Sequence, residues 1–141
     1  MRNAFVSSVT LALVLVQGAL PQTTARAKHR VVFQMTEPEG PAWDDLTVRV
    51  NNLLANLLPD GGAQVEIVFF GRGLNMLRKT NVSYQRRFED FVHYGVVFAA
   101  CQNSMAAMKH TAADLFPFAS QVRSGVVEVV RKQEAGWAYV H

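Results

Sequence analysis

The sequence predicts an α/β domain built on a mainly parallel sheet, and three observations carry that prediction. Short apolar, β-branched runs recur along the chain at Val31-Val32-Phe33-Gln34-Met35, at Val65 to Phe70 and at Val96 to Ala100. Runs of this length without strict alternation read as strands covered on both faces. Between them lie stretches whose apolar residues fall at three- and four-residue steps, and breaks rich in Gly and Pro separate the two patterns. Strands alternating with helices imply βαβ units, hence parallel strands joined by right-handed crossovers.

The chain begins with a different kind of segment. Arg2 precedes an apolar run from Ala4 to Val16, followed by a polar stretch ending in Ala25-Arg26-Ala27. That order predicts a secretory signal peptide over residues 1–27, cleaved after Ala27. The run is shorter than the roughly 20 residues a membrane-crossing helix needs, so no stable membrane anchor is expected after cleavage. The expected destination is the periplasm or the exterior.

Cleavage after Ala27 removes 27 of the 141 residues and leaves 114, enough for one core and too few for two ordinary domains. The 14 basic residues fall to 12 with the loss of Arg2 and Arg26, against 11 acidic residues. The mature chain is therefore nearly neutral. Its basic residues cluster in nothing longer than pairs such as Arg78-Lys79 and Arg86-Arg87, so nucleic acid, which demands clustered cations, is not an expected partner.

The elements follow in order. Val31 to Met35 forms the first strand, broken by Glu37-Pro38-Glu39-Gly40-Pro41. Trp43, Leu46, Val50, Leu53, Leu54 and Leu57 mark the apolar face of a helix, with Asp44 and Asp45 suiting the positive end of its dipole. Pro59-Asp60-Gly61-Gly62 stops it. After the strand Val65–Phe70 comes Gly71-Arg72-Gly73, a short helical piece at 74–77, and a helix from about Ser83 to His93 capped at Gly95. Val96 to Cys101 is the third strand, and a helix from Asn103 to His110 follows. Thr111 to Asp114 has the form of a capping box opening a short turn, which Pro117 stops. Val126 to Val130 is a fourth long apolar run, and Trp137 to Val140 a last short strand.

Cys101 is the chain's single cysteine, so it has no internal disulfide partner. In an oxidising compartment a leftover cysteine is an intermolecular partner, a reactive thiol or an inert buried one. It stands at a strand's carboxyl end, where ligands bind in open parallel sheets. A helix start beside it would favour the thiolate. The competing reading is that Cys101 merely continues the apolar strand.

Other constellations are weaker. Gly71-Arg72-Gly73 lacks the third glycine of a dinucleotide fingerprint, and no loop carries the Gly-Lys-Ser/Thr of a P-loop. It reads as a tight strand-to-helix turn in which Arg72 could face an anion. No cofactor is indicated. His29, His93, His110 and His141 show no metal-ligand spacing, and His110, nine residues beyond Cys101, falls on another face of an ideal helix. Met105 and Met108 read as core.

The run VVFAACQNSMAAM, Val96 to Met108, resembles the cysteine region of the DsrE/DsrF-like family. His29 to Gln34 is similar to the family's first strand, Gly71 to Leu77 to its second-strand loop, and Gly125 to Tyr139 to its characteristic ending. The resemblance implies a three-layer α/β/α domain, 28–141, with a mainly parallel sheet of about five strands, commonly a homo-oligomer of trimeric or hexameric form. It also implies a sulfur carrier, or sulfurtransferase-like protein, holding a persulfide on Cys101. Asn103 and Ser104 would offer hydrogen bonds to the sulfur, with Arg72 a further substrate-binding candidate. Many relatives carry Gly where Gln102 stands here. The alternative is a non-catalytic oligomeric binding or assembly module, with Cys101 packed in the core and the apolar face of the second helix meeting neighbouring subunits.

Overall fold

The computed structural model describes residues 29–141, so the signal segment 1–27 and its cleavage point lie outside the described residues. Five strands are formed: β1 (His29–Met35), β2 (Ala63–Phe69), β3 (Val97–Cys101), β4 (Ala119–Val122) and β5 (Ala138–Val140). The α-helices are α1 (Pro41–Leu57), α2 (Val82–His93), α3 (Gln102–Ala107) and α4 (Gly125–Glu134). The strands pair in the order β4-β3-β2-β1-β5, every pair parallel.

This order dictates which face each helix covers. The chain steps outward from β1 to β4, then returns across the sheet to place β5 beyond β1. Right-handed crossovers put connections running in opposite directions on opposite faces. Accordingly Trp43, Leu46 and Val50 of α1 and Phe88 and Phe91 of α2 pack with Phe33, Ile67, Phe69 and Phe98 on one face. Val129 of α4 packs with Val32, Val68 and Ala99 on the other. The three-layer α/β/α arrangement is thus present, with an all-parallel sheet where a mainly parallel one was predicted.

Aromatic rings fill the larger core. Phe88 is fully buried, and its ring centroid lies 4.7 Å from that of Phe98, 6.2 Å from Phe116 and 6.3 Å from Phe69. Part of the apolar face of α2 is therefore spent inside its own chain. Phe88 and Phe91 are buried there, while Tyr84 is half-buried and Val92 exposed.

Two expectations are corrected. The run Val126–Val130, which resembles the strands in length and composition, is helical. Only Gly125 and Val129 of α4 are buried, while Glu128 lies 3.6 Å from Lys132 in an i,i+4 ion pair that a helix favours. The fourth strand is instead Ala119–Val122, a short edge strand with two exposed residues. The helix expected over Asn103–His110 ends at Ala107. Lys109 adopts a left-handed φ of 57°, with the Lys109 N–H on Ala106 O (3.1 Å) and the His110 N–H on Met105 O (2.8 Å). That pair of bonds is a Schellman closure. The capping box at Thr111 forms as expected, the Asp114 carboxylate accepting from the Thr111 N–H at 2.7 Å and hydroxyl at 3.0 Å.

A buried ion pair fastens α4 to the sheet. Lys132 Nζ lies 2.5 Å from Glu66 Oε2 of β2 and 4.3 Å from the Trp137 ring centroid. Burial raises the Glu66 pKa; its bond and charge interaction with Lys132 oppose this, and Glu128 adds to it.

Candidate functional site

Strand alternation settles which way Cys101 faces. Phe98 and Ala100 point toward α1 and α2, Ala99 toward α4, so Cys101 lies on the α4 side. Its position in the topology adds to this. The connection leaving β3 packs Met105 of α3 on the α1–α2 face, whereas the one leaving β4 packs α4 on the opposite face. Adjacent strands whose connections diverge open a crevice at their carboxyl ends, the usual ligand position in doubly wound sheets. Cys101 and its β4 partner Val122 are the terminal residues at that switch point.

The thiol is 4% exposed. Burial alone raises its pKa, but four hydrogen bonds outweigh that and leave it lowered: the Ser104 hydroxyl, then the backbone N–H groups of Gly125, Ser104 and Asn103. The donors come from both helices flanking the crevice, so the thiolate is stabilised by α4 as well as by α3. A thiolate so held is the nucleophilic form of cysteine.

Each donor is itself positioned. Ser104 Oγ accepts the Gly71 N–H at 2.9 Å, tying the 3-10 segment Gly71–Leu77 to α3. That segment crosses the end of β1 closely: a Cβ on Gly73 would lie 2.3 Å from Met35 O. The second glycine of Gly71-Arg72-Gly73 is thus explained by a tight approach of backbone to backbone. Gly125 is equally constrained, since a Cβ there would lie 2.6 Å from Phe70 Cδ1. The Asn103 N–H also reaches Arg123 O at 3.3 Å, and Gln102 Nε2 reaches Gln121 Oε1 at 3.2 Å, linking α3 to the β4 strand and the residue beyond it.

Of the residues singled out in the sequence, Cys101, Asn103 and Ser104 are brought together. Arg72 follows Gly71 in the tethered loop, is exposed, and makes no ion pair or hydrogen bond from its guanidinium among the described residues. His110 is engaged elsewhere, its Nε2 3.1 Å from Asn75 Oδ1. His93 lines a groove of about 690 Å³ between α1 and α2, with Thr47, Arg87 and Tyr94, on the other face of the sheet. That groove is larger than the hollow beside Cys101, and no cysteine lines it. A smaller cleft of about 270 Å³ adjoins the crevice, lined by Asn103, Arg123, Ser124, Val127, Glu128 and Arg131. Among the described residues no group of three or more His, Cys, Asp or Glu side chains could hold a metal.

The model of the DsrE/DsrF-like family matches residues 29–141. The chain belongs to the DsrE/DsrF-like family. Among solved structures it is similar to the protein of unknown function MTH1491 from Methanobacterium thermoautotrophicum, at 34% identity and a TM-score of 0.74, covering 79% of this chain and 97% of that one. No curated protein matches. The DsrE/DsrF-like assignment agrees with the parallel five-stranded sheet.

Gly125, Arg123 and Arg131 were not reached from the sequence as site residues. One local signal was available: Ser124-Gly125 followed by Glu128 has the composition of a helix start.

Proposed function

We propose that the protein is an exported sulfur carrier in which Cys101 holds a persulfide. Family membership supports a role of the sulfur-relay type. The observation that carries the finer reading is the place of Cys101, at the end of β3 beside Val122 of β4 where the connections of the two strands diverge to opposite faces of the sheet, with neighbouring donors lowering its pKa. The Cys101 thiolate attacks the sulfane sulfur of a donor. A sulfur–sulfur bond forms, the donor's own bond to that sulfur breaks, and the leaving group departs with the electron pair. An acceptor thiolate then attacks the outer sulfur and regenerates the Cys101 thiolate. The same N–H groups that hold the thiolate serve it again on return, and the carried sulfur sits about 2 Å beyond Sγ.

The experiment is alkylation by iodoacetamide as a function of pH. The rate should reach half its maximum below the ordinary cysteine value of about 8.5; a midpoint at or above it removes the basis for the carrier.

The near-complete burial of Cys101 favours a second reading, a non-catalytic assembly module with the thiol as packing. Its surface would be α4, whose Val126, Val127 and Val130 are 57%, 43% and 45% exposed. Such a homo-oligomer, trimeric or hexameric, is tested by sedimentation of the wild type against Val126→Asp.

A further inference from the structure

The cleft beside Cys101 brings two arginines to one cavity. Arg123 follows β4 and Arg131 lies on α4, and both line the same cavity with Asn103. The ion pairs among the described residues are Lys132 with Glu66 and Lys132 with Glu128, so neither arginine is neutralised by a pair. Glu128, the one acidic residue of the lining, is drawn toward Lys132 at 3.6 Å. The lining also touches the cradle of the thiol directly. Arg123 follows Val122, the β4 partner of Cys101, the Asn103 N–H reaches Arg123 O at 3.3 Å, and Ser124 precedes Gly125 at the start of α4.

We infer that this cleft is a small-oxyanion subsite, in which Arg123 and Arg131 recognise the anionic end of a thiosulfonate-type sulfur donor. The inference rests on the sulfur-carrier reading of Cys101 and names its substrate class. Guanidinium groups present planar forks of N–H donors suited to oxyanions. Size narrows the choice. About 270 Å³ corresponds to roughly nine waters at about 30 Å³ each, and lies below the roughly 300–1,000 Å³ of sites for drug-sized ligands. A donor of a few heavy atoms fits within it.

The chemistry uses the same charges. For thiosulfate, the simplest such donor, the thiolate attacks the outer, sulfane sulfur. The Cys101 S–S bond forms, the S–S bond of thiosulfate breaks, and sulfite leaves with the electron pair. Three negative charges stand on each side of the step, and no external oxidant or reductant enters. Arg123 and Arg131 would hold the oxyanion before the step and the departing sulfite after it.

The test separates anion binding from sulfur transfer. Thiosulfate is titrated into Cys101→Ser, which cannot accept sulfur, while the amides of Asn103, Ser124 and Gly125 are followed by NMR. Sulfate is titrated into the unmodified protein in parallel, with chloride at matched ionic strength as control. Saturable shifts with both divalent oxyanions are expected, weakened about tenfold or more by Arg123→Gln with Arg131→Gln, in keeping with the loss of charge-assisted hydrogen bonds. Shifts that fail to saturate, that chloride reproduces, or that survive the double substitution overturn the subsite. A wild-type protein that binds the anions but never gains sulfur mass keeps the subsite and sinks the carrier; one that gains sulfur without saturable binding does the reverse.

Discussion

Ser104 Oγ accepts the Gly71 N–H at 2.9 Å, which ties the Gly71–Leu77 segment to α3 and fixes beside Cys101 the side chain that does most to lower its pKa. Because the backbone N–H occupies the acceptor side, the hydroxyl proton is left for the thiolate. Ser104→Ala removes the largest of the interactions that lower the Cys101 pKa. Alkylation at pH 7 should slow by about tenfold, the scale of one charge-assisted hydrogen bond, and its pH midpoint should move upward. An unchanged midpoint would show that the hydroxyl does not hold the anion.

The same hydrogen bonds make a prediction about stability. A thiol whose folded pKa lies below its unfolded one stabilises the fold fully above the unfolded value, and that contribution disappears as pH falls through the folded value. The stability difference between wild type and Cys101→Ser should therefore grow with pH and level off above about 8.5. Urea unfolding at a series of pH values measures it; a difference independent of pH contradicts the account.

Gly125→Ala would drive a methyl group against Phe70, 2.6 Å from Cδ1. The phenyl ring or the start of α4 must move, at a cost of about 1–3 kcal/mol for overpacking. Movement of α4 would carry the Gly125 N–H away from the sulfur and slow alkylation. Loss of stability with unaltered thiol reactivity would show that the ring alone yields.

Lys132 shields a buried acid. Lys132→Met leaves Glu66 without its cationic partner, and should cost about 2–3 kcal/mol, less than the 3–5 kcal/mol of fully buried pairs because Lys132 is partly exposed. Since burial already raises the Glu66 pKa, the loss should shrink as pH falls and the acid takes up its proton. Glu66→Gln in the same background should recover most of it. A loss equal at all pH values would mean that charge is not its origin.

Phe88 anchors the ring cluster over β2 and β3. Phe88→Ala should destabilise by about 3–5 kcal/mol, read by chemical denaturation, while leaving the α4 side of the sheet and the alkylation midpoint unaltered. A shifted midpoint in the folded variant would couple the two faces.

Much of this was legible in the sequence where local pattern and tertiary environment agree. Phe98 to Cys101 is apolar because β3 is covered on both faces there, and α1 shows its periodicity because Trp43, Leu46 and Val50 face the sheet. The fourth strand was hidden for the opposite reason. Ala119-Ser120-Gln121-Val122 lies at an edge and needs few apolar residues there. Val126 to Val130 imitates a strand because its exposed valines add apolar character that packing in the monomer does not require. Without β4 the switch point could not be located, so the part played by Gly125 and the arginine-lined cleft stayed out of view. Cys101 itself was found and its burial left open: alternation turns it inward to α4, and only the three-dimensional path brings two helices to one sulfur.

The central claim is that Cys101 accepts and holds sulfur. Intact mass of the protein after incubation with thiosulfate or polysulfide tests it most directly. The account predicts a gain of one sulfur atom, removed by a reducing thiol and absent in Cys101→Ser. An unchanged mass in the folded wild type, under conditions where iodoacetamide still reaches the thiol, would contradict it.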